Sequence, residues 1–187
     1  MPPKVKISKD DIINTALELV RKSGESAINA RNIAVALNCS TQPIFSNFAT
    51  MNDLRCAVIE KAEEICNGYF KCEIESGVYL PYKASGMAYI KFAKEEKEMF
   101  KLLYMRDRTD EIIPEETELG NQMDEMVRDS TGLCGEDSKL FHLEMWAYVH
   151  GIATMFATNY ITLDWELVSK MITDVYQGLK KRYEVEN

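Results

Sequence analysis

The 187-residue sequence lacks long apolar runs: no uninterrupted apolar stretch exceeds five residues, far below the ~20 that a membrane-spanning helix needs. Glycine (9) and proline (5) are too few for collagen or for a low-complexity chain. Hydrophobic residues make up 46% and charged residues 28% of the chain, which excludes wholesale disorder. We therefore expect a folded globular protein with no membrane partner.

Cysteine and histidine are scarce, and their spacing fits no metal or disulfide pattern. The five cysteines are an odd number without C-x-x-C spacing, which argues against a disulfide framework and a zinc site. Two histidines are too few for most metal sites, and the sequence has no nucleophile elbow, glycine-rich phosphate loop or H-E-x-x-H motif. We expect reduced thiols in a cytoplasmic protein, with no metal, no cofactor and no enzymatic activity.

Charge is distributed unevenly along the chain. Residues 1–61 contain eight Lys or Arg and six Asp or Glu, a net charge of +2, whereas residues 62–187 have a net charge of −10. A mildly basic N-terminal part on an acidic remainder suggests that only the N-terminal part meets a polyanion.

Apolar spacing predicts an all-α chain, since no convincing alternating strand pattern is present. Ser8 is a good N-cap for the first helix, and Gly24 can end that helix in a left-handed conformation. Two short helices are expected between residues 30 and 48. Longer helices are predicted at about 8–22, 51–76, 82–105, 116–130, 137–160 and 164–184.

The two short helices have the layout of a helix-turn-helix. Their predicted buried faces are Ile33, Ala34 and Leu37 in the first and Ile44, Phe45 and Phe48 in the second. Asn38 tolerates the left-handed backbone of a sharp turn, and we expect Ser40 to cap the second helix. Such a helix can project its N-terminal side chains into the major groove of DNA.

The second short helix contains the side chains that we expect to contact DNA. Gln42 and Asn47 can form paired hydrogen bonds with adenine, and Thr41 can bond a base edge or touch a thymine methyl group. The Ser40 hydroxyl can hold a phosphate. A plain three-helix core with a polar solvated face fits the same pattern, so both interpretations stay open. The predicted DNA-binding residues are Arg31, Ser40, Thr41, Gln42, Phe45, Ser46 and Asn47.

The order and spacing of several N-terminal motifs resemble the TetR family of transcriptional regulators over about residues 7–60. These motifs are Ile12–Ala16, Gly24, Ile33-Ala34, Ser40–Phe48 and Leu54. The resemblance implies a three-helix DNA-binding head (1–50) joined by a long helix to a helical ligand-binding and dimerisation domain (51–187). It implies a homodimeric regulator, acting as a repressor, that binds operator DNA and is released by an unknown small molecule. The two helices near 137–160 and 164–184 would form the dimer seam.

Two residues depart from the family pattern. The family usually has Tyr at Phe45 and often has Lys at Met51, and both of those side chains commonly face phosphates. Lys4, Lys6, Lys9 and Arg31 are the cations that can compensate. The alternative function is a dimeric helical ligand-binding or protein-interaction module with a vestigial DNA-binding head.

Methionine and aromatic residues of the C-terminal region can line an adaptable apolar pocket. The residues Trp146, His150 and Gly151 also resemble a motif of some TetR-type C-terminal domains. Ordinary core packing explains the same residues, and this interpretation stays open. The candidate pocket residues are Met87, Phe100, Tyr104, Trp146 and His150.

Overall fold

A computed structural model describes residues 7–109 and 118–185 of the chain. Within these ranges the chain forms nine α-helices, one 3-10 helix (Glu25–Ala27) and no strand, which confirms the predicted all-α class. The α-helices are α1 (Lys9–Ser23), α2 (Ala30–Ala36), α3 (Gln42–Asn47), α4 (Met51–Glu75), α5 (Pro81–Glu95), α6 (Lys97–Tyr104), α7 (Glu118–Thr131), α8 (Gly135–Ala157) and α9 (Trp165–Val185).

The described residues divide into two compact units. The N-terminal unit contains the residues up to Asn67 together with Glu96–Arg106, and the C-terminal unit contains Gly68–Glu95 together with the residues from Asp107 onward. The N-terminal unit is therefore built from two separate stretches of sequence. The functional division at residue 50 stays a prediction.

The first helix of the N-terminal unit begins and ends at the residues that the sequence indicates. The Ser8 hydroxyl accepts from the Asp11 N–H (3.1 Å), and the Asp11 carboxylate accepts from the Ser8 N–H (2.9 Å), which completes a capping box. Gly24 ends the helix with φ 75° and ψ −176°. Its φ is positive as predicted, but its ψ lies outside the left-handed helical region, in a conformation that is almost restricted to glycine.

The single helix predicted for residues 82–105 is wrong, because the chain bends at Glu96 (φ −118°, ψ 53°) and so separates α5 from α6. The Arg21 guanidinium of α1 donates two hydrogen bonds to the Glu96 carboxylate, at 3.0 Å from Nε and 2.9 Å from Nη2. The α6 helix packs against α1, and its apolar side chains are buried in the N-terminal unit. These side chains are Met99, Phe100, Leu102 and Leu103.

The C-terminal unit is built around the pairing of α5 with α8. Tyr82 of α5 contacts His142 of α8, and Tyr89 contacts His150, so the two helices run in the same direction. The α9 helix runs in the opposite direction, since Lys83 near the start of α5 donates to Thr173 Oγ1 at 2.8 Å, while Lys94 near its end lies over the Trp165 ring.

Candidate nucleic-acid interface

The turn between α2 and α3 holds the second short helix against the core. The Asn29 side chain accepts from the Asn32 N–H at 2.9 Å and so caps α2, which buries Ile33 and Ala34. Asn38 has φ 51°, which confirms the left-handed turn residue that the sequence indicates. The α2, turn and α3 segments therefore form a helix-turn-helix.

The start of α3 differs from the prediction. The N-cap is Thr41 rather than Ser40, and its side chain makes no capping hydrogen bond. The physical reason lies in the donors: Pro43 has no N–H, and the Ile44 N–H already donates to the Thr41 carbonyl at 3.1 Å. Ser40 is an exposed residue of the turn.

The buried and exposed faces of α3 also differ from the prediction at one residue. Ile44 and Phe48 are buried, as expected, but 52% of Phe45 is exposed. A helix rotates about 100° per residue, so a short helix that buries Ile44 and Phe48 turns Phe45 away from the core. The exposed residues of this segment are Thr41, Gln42, Phe45, Ser46 and Asn47.

Two polar side chains of α3 bond to the helix's own backbone. Ser46 Oγ donates to the Gln42 carbonyl at 2.9 Å, and Asn47 Nδ2 donates to the Pro43 carbonyl at 2.8 Å. Ser46 must give up or share this bond before it can donate to a base. The Asn47 amide keeps its second N–H and its oxygen, but the bond fixes its orientation along the helix. Gln42 has no such side-chain bond in the described part of the chain, so its amide faces outward with its full hydrogen-bonding capacity.

Charged groups are absent from the sequence around this helix: residues 32–52 contain no Lys, Arg, Asp or Glu. The nearest cation in sequence is the exposed Arg31 of α2, which has no ion-pair partner among the described residues. Arg55 is paired with Glu25, and Lys9 lies 5.1 Å from the centre of the Phe48 ring. Lys4 and Lys6, which the sequence suggested as compensating cations, lie outside the described residues.

The residues predicted to line a ligand pocket lie in both units. Phe100 and Tyr104 belong to the N-terminal unit, where their ring centres are 5.2 Å apart. Met87, Trp146 and His150 belong to the C-terminal unit, where Met87 is fully buried. The Trp146 indole stacks on the His150 imidazole, with ring centres 4.9 Å apart. The structure thus brings together two pairs of these residues, and their role in ligand binding stays a prediction.

Two tyrosine–histidine pairs link α5 to α8 and were missed by the sequence analysis. Tyr82 Oη and His142 Nδ1 share a hydrogen bond of 3.1 Å, and Tyr89 Oη and His150 Nδ1 share one of 2.8 Å. Burial lowers the pKa of both histidines below the ordinary value, and it raises the pKa of Tyr82. The sequence does contain a signal for this pairing, because the two tyrosines are seven positions apart and the two histidines are eight positions apart.

The outer face of α8 is apolar and exposed. Its large exposed side chains are Leu140, Leu143, Trp146 and Met155. A side chain added at Gly151 of α8 or at Gly178 of α9 would meet no other atom within 4 Å, so both glycines border open space. Exposed apolar side chains together with glycines allow another helix to approach closely.

Residues 7–109 and 118–185 contain neither a cluster of metal ligands nor a membrane-spanning helix. No group of three or more His, Cys, Asp or Glu side chains there is placed to hold a metal ion. No described helix combines the length and the hydropathy needed to cross a bilayer.

Residues 82–175, half of the chain, match the family model of the tetracyclin repressor-like C-terminal domain. No curated protein matches the chain. Two solved structures share the fold. A TetR-like transcriptional regulator from Rhodococcus sp. RHA1 has 13% identity and a TM-score of 0.66, with 100% of both chains covered. A TetR family member from Streptomyces coelicolor A3 has 16% identity and a TM-score of 0.64, with 89% of this chain and 96% of that chain covered.

Proposed function

Because this chain belongs to the TetR family of transcriptional regulators, we propose that it is a homodimeric cytoplasmic repressor that binds operator DNA through α3. The observation that carries the proposal is the helix-turn-helix itself, in which Ile44 and Phe48 anchor α3 while Gln42 and Phe45 face outward. A helix presented in this way fits the major groove of B-DNA.

The test of DNA binding uses the full chain and duplex DNA from upstream of its own coding sequence, with a random duplex of the same length for comparison. We expect Gln42→Ala to weaken binding to the upstream duplex by about 1–3 kcal/mol in a gel-shift titration, because a paired contact to a base is lost. Gln122→Ala, the same change at an exposed position of α7, is the matched control and should leave binding unchanged. Equal binding of wild type and Gln42→Ala would exclude Gln42 as a base contact, and equal binding of Asn47→Ala as well would exclude α3 as the reading helix.

We propose that a second copy of the chain covers the exposed apolar face of α8, with α9 beside it. A single head reads only half a site, so useful affinity requires two heads held together. Leu143 is 57% exposed on this face, and Leu143→Asp should give a monomer in light scattering and weaken operator binding. Leu80→Asp, at a leucine that is 78% exposed outside α8 and α9, should leave the dimer intact.

The proposed release mechanism is a shift of population between conformations of the dimer. The effector would favour a conformation in which the two heads no longer match successive major grooves, which are about 34–36 Å apart. We propose Trp146 and His150 of α8 as contacts for this effector, because their rings stack on each other. Trp146 also belongs to the exposed face of α8, so the effector would bind beside the proposed dimer seam. Tryptophan fluorescence of a Trp165→Phe variant, in which Trp146 is the one remaining indole of the sequence, titrated with candidate small molecules, tests this contact.

One observation favours the alternative of a vestigial head. The absence of charge over residues 32–52 removes the ionic phosphate contacts that α3 and its flanks would otherwise supply. A chain that is dimeric and folded, yet binds neither its upstream DNA nor random duplex at low salt, would establish this alternative.

A further inference from the structure

The outward face of α3 is made of a small set of uncharged side chains. Gln42 and Phe45 are three residues apart and therefore neighbours on one face of the helix, with Thr41 at its start. The Phe45 ring is more than half exposed. When α3 lies against DNA, the ring gains most free energy where an apolar group of the nucleic acid covers it.

The side chains that commonly read G·C base pairs are missing from this face. Arg and Lys are the usual partners of the guanine O6 and N7 atoms, and Asp and Glu accept from the cytosine amino group. None of these residue types occurs between residues 32 and 52. Ser46 and Asn47, the remaining polar groups, donate to backbone carbonyls of their own helix.

The side chains that do face outward match the two bases of an A·T pair. A glutamine amide forms paired hydrogen bonds with the adenine N6 and N7 atoms, and an aromatic ring packs against the C5 methyl group of thymine. Residues three apart on a helix have Cβ atoms about 5–6 Å apart, which spans one or two base-pair steps of about 3.4 Å.

We propose that α3 reads A·T base pairs, with Gln42 on an adenine and Phe45 against the methyl group of a thymine in each half-site. This inference rests on the proposed function, because it assumes that α3 enters the major groove. The Phe45 ring thereby determines base specificity. A tyrosine at this position would instead use its hydroxyl to contact a phosphate of the DNA backbone.

The experiment begins with selection of bound sequences from a random duplex library by the full chain. We expect A·T pairs to be enriched at the centre of each half-site. In the selected duplex, each of these thymines is then replaced by deoxyuridine, which removes only the methyl group. Wild-type affinity should fall about fourfold for each methyl group that Phe45 covers.

Protein variants show whether the methyl group is sensed by Phe45. Phe45→Ala should bind the thymine and deoxyuridine duplexes equally, and Phe45→Leu, which keeps an apolar side chain, should retain part of the difference. In parallel, 7-deazaadenine removes only the N7 acceptor, and it should weaken binding about fivefold for wild type but not for Gln42→Ala. Because the base replacements are measured with the wild-type protein, they test the inference even if one of the protein variants fails to fold.

The outcomes separate this inference from the function on which it rests. If the selection recovers no bound duplex, the proposed DNA-binding function fails, and the inference fails with it. If a duplex is recovered but its half-site core is G·C, or deoxyuridine has no effect on wild type, DNA binding stands and the A·T reading is overturned. Methyl sensitivity that persists in Phe45→Ala would assign the contact to another residue and overturn the role of Phe45.

Discussion

The burial of His142, which shares a hydrogen bond with Tyr82, makes the stability of the C-terminal unit depend on pH. Burial lowers the pKa of His142 from its ordinary value near 6.5, although Asp124 acts in the opposite direction. The unfolded chain therefore binds a proton at a higher pH than the folded chain does. The contribution of neutral His142 to the free energy of unfolding is fully present above about pH 6.5, and it is lost as the pH falls toward the lower pKa of the folded state.

The size of the effect follows from proton linkage. One histidine that is protonated in the unfolded state and neutral in the folded state changes the free energy of unfolding by at most about 1.4 kcal/mol per pH unit. His150 shifts in the same direction but is less buried, so solvent reduces its contribution. Carboxylates titrate mainly below pH 5, and the window from pH 5.5 to 7 therefore reports chiefly on the histidines.

The assay is urea unfolding, followed by circular dichroism, at half-unit steps from pH 5.5 to 8. The His142→Asn variant keeps a hydrogen-bonding atom near the place of Nδ1 but does not titrate. We expect wild type to lose stability on acidification below pH 6.5 with a steeper slope than His142→Asn. Parallel pH profiles for the two proteins would refute the argument that burial controls this histidine.

Three further predictions concern single residues. Ser138→Ala should stabilise the protein by about 1 kcal/mol in urea unfolding, since the buried Ser138 hydroxyl has no hydrogen-bond partner among the described residues. Gly24→Ala should destabilise it by about 1–3 kcal/mol, because φ is 75° there and the new Cβ would lie 3.0 Å from Glu98 Oε2; Gly68→Ala in the open middle of α4 should not destabilise it. Met51→Lys should steepen the salt dependence of DNA binding by about one counterion per head, and an unchanged slope would show that residue 51 does not face the DNA backbone.

Local signals predicted much of the helical framework. The capping box at Ser8 and the left-handed Asn38 depend on residues adjacent in sequence, so a pattern can indicate them. The bend at Glu96 could not be predicted in the same way. No Gly or Pro marks it, and the charged run at residues 94–98 fits an exposed turn of one continuous helix as well as it fits a bend. The bend is held by Arg21, which lies 75 residues away from Glu96.

Only part of the candidate interface could be predicted from the sequence, because its remaining features depend on tertiary packing. Helical spacing alone grouped Phe45 with the buried residues, whereas the packing of Ile44 and Phe48 leaves it exposed. The hydrogen bonds of Ser46 and Asn47 to their own helix depend on side-chain rotamers. The tyrosine–histidine pairs join residues 60 and 61 positions apart, and only the fold brings them together.

The return of the chain to the N-terminal unit at Glu96–Arg106 limits how this protein can be recombined. A chimaera that joined the residues up to Asn67 to a foreign C-terminal domain would lose the buried side chains of α6 and would leave Arg21 without Glu96. The N-terminal unit is therefore not an independent module. In an exchange with a related regulator, the α1 helix of one protein must pack against the α6 helix of the other. Packing inside the N-terminal unit therefore constrains how residues 96–106 can evolve, although they lie far from α1 in sequence.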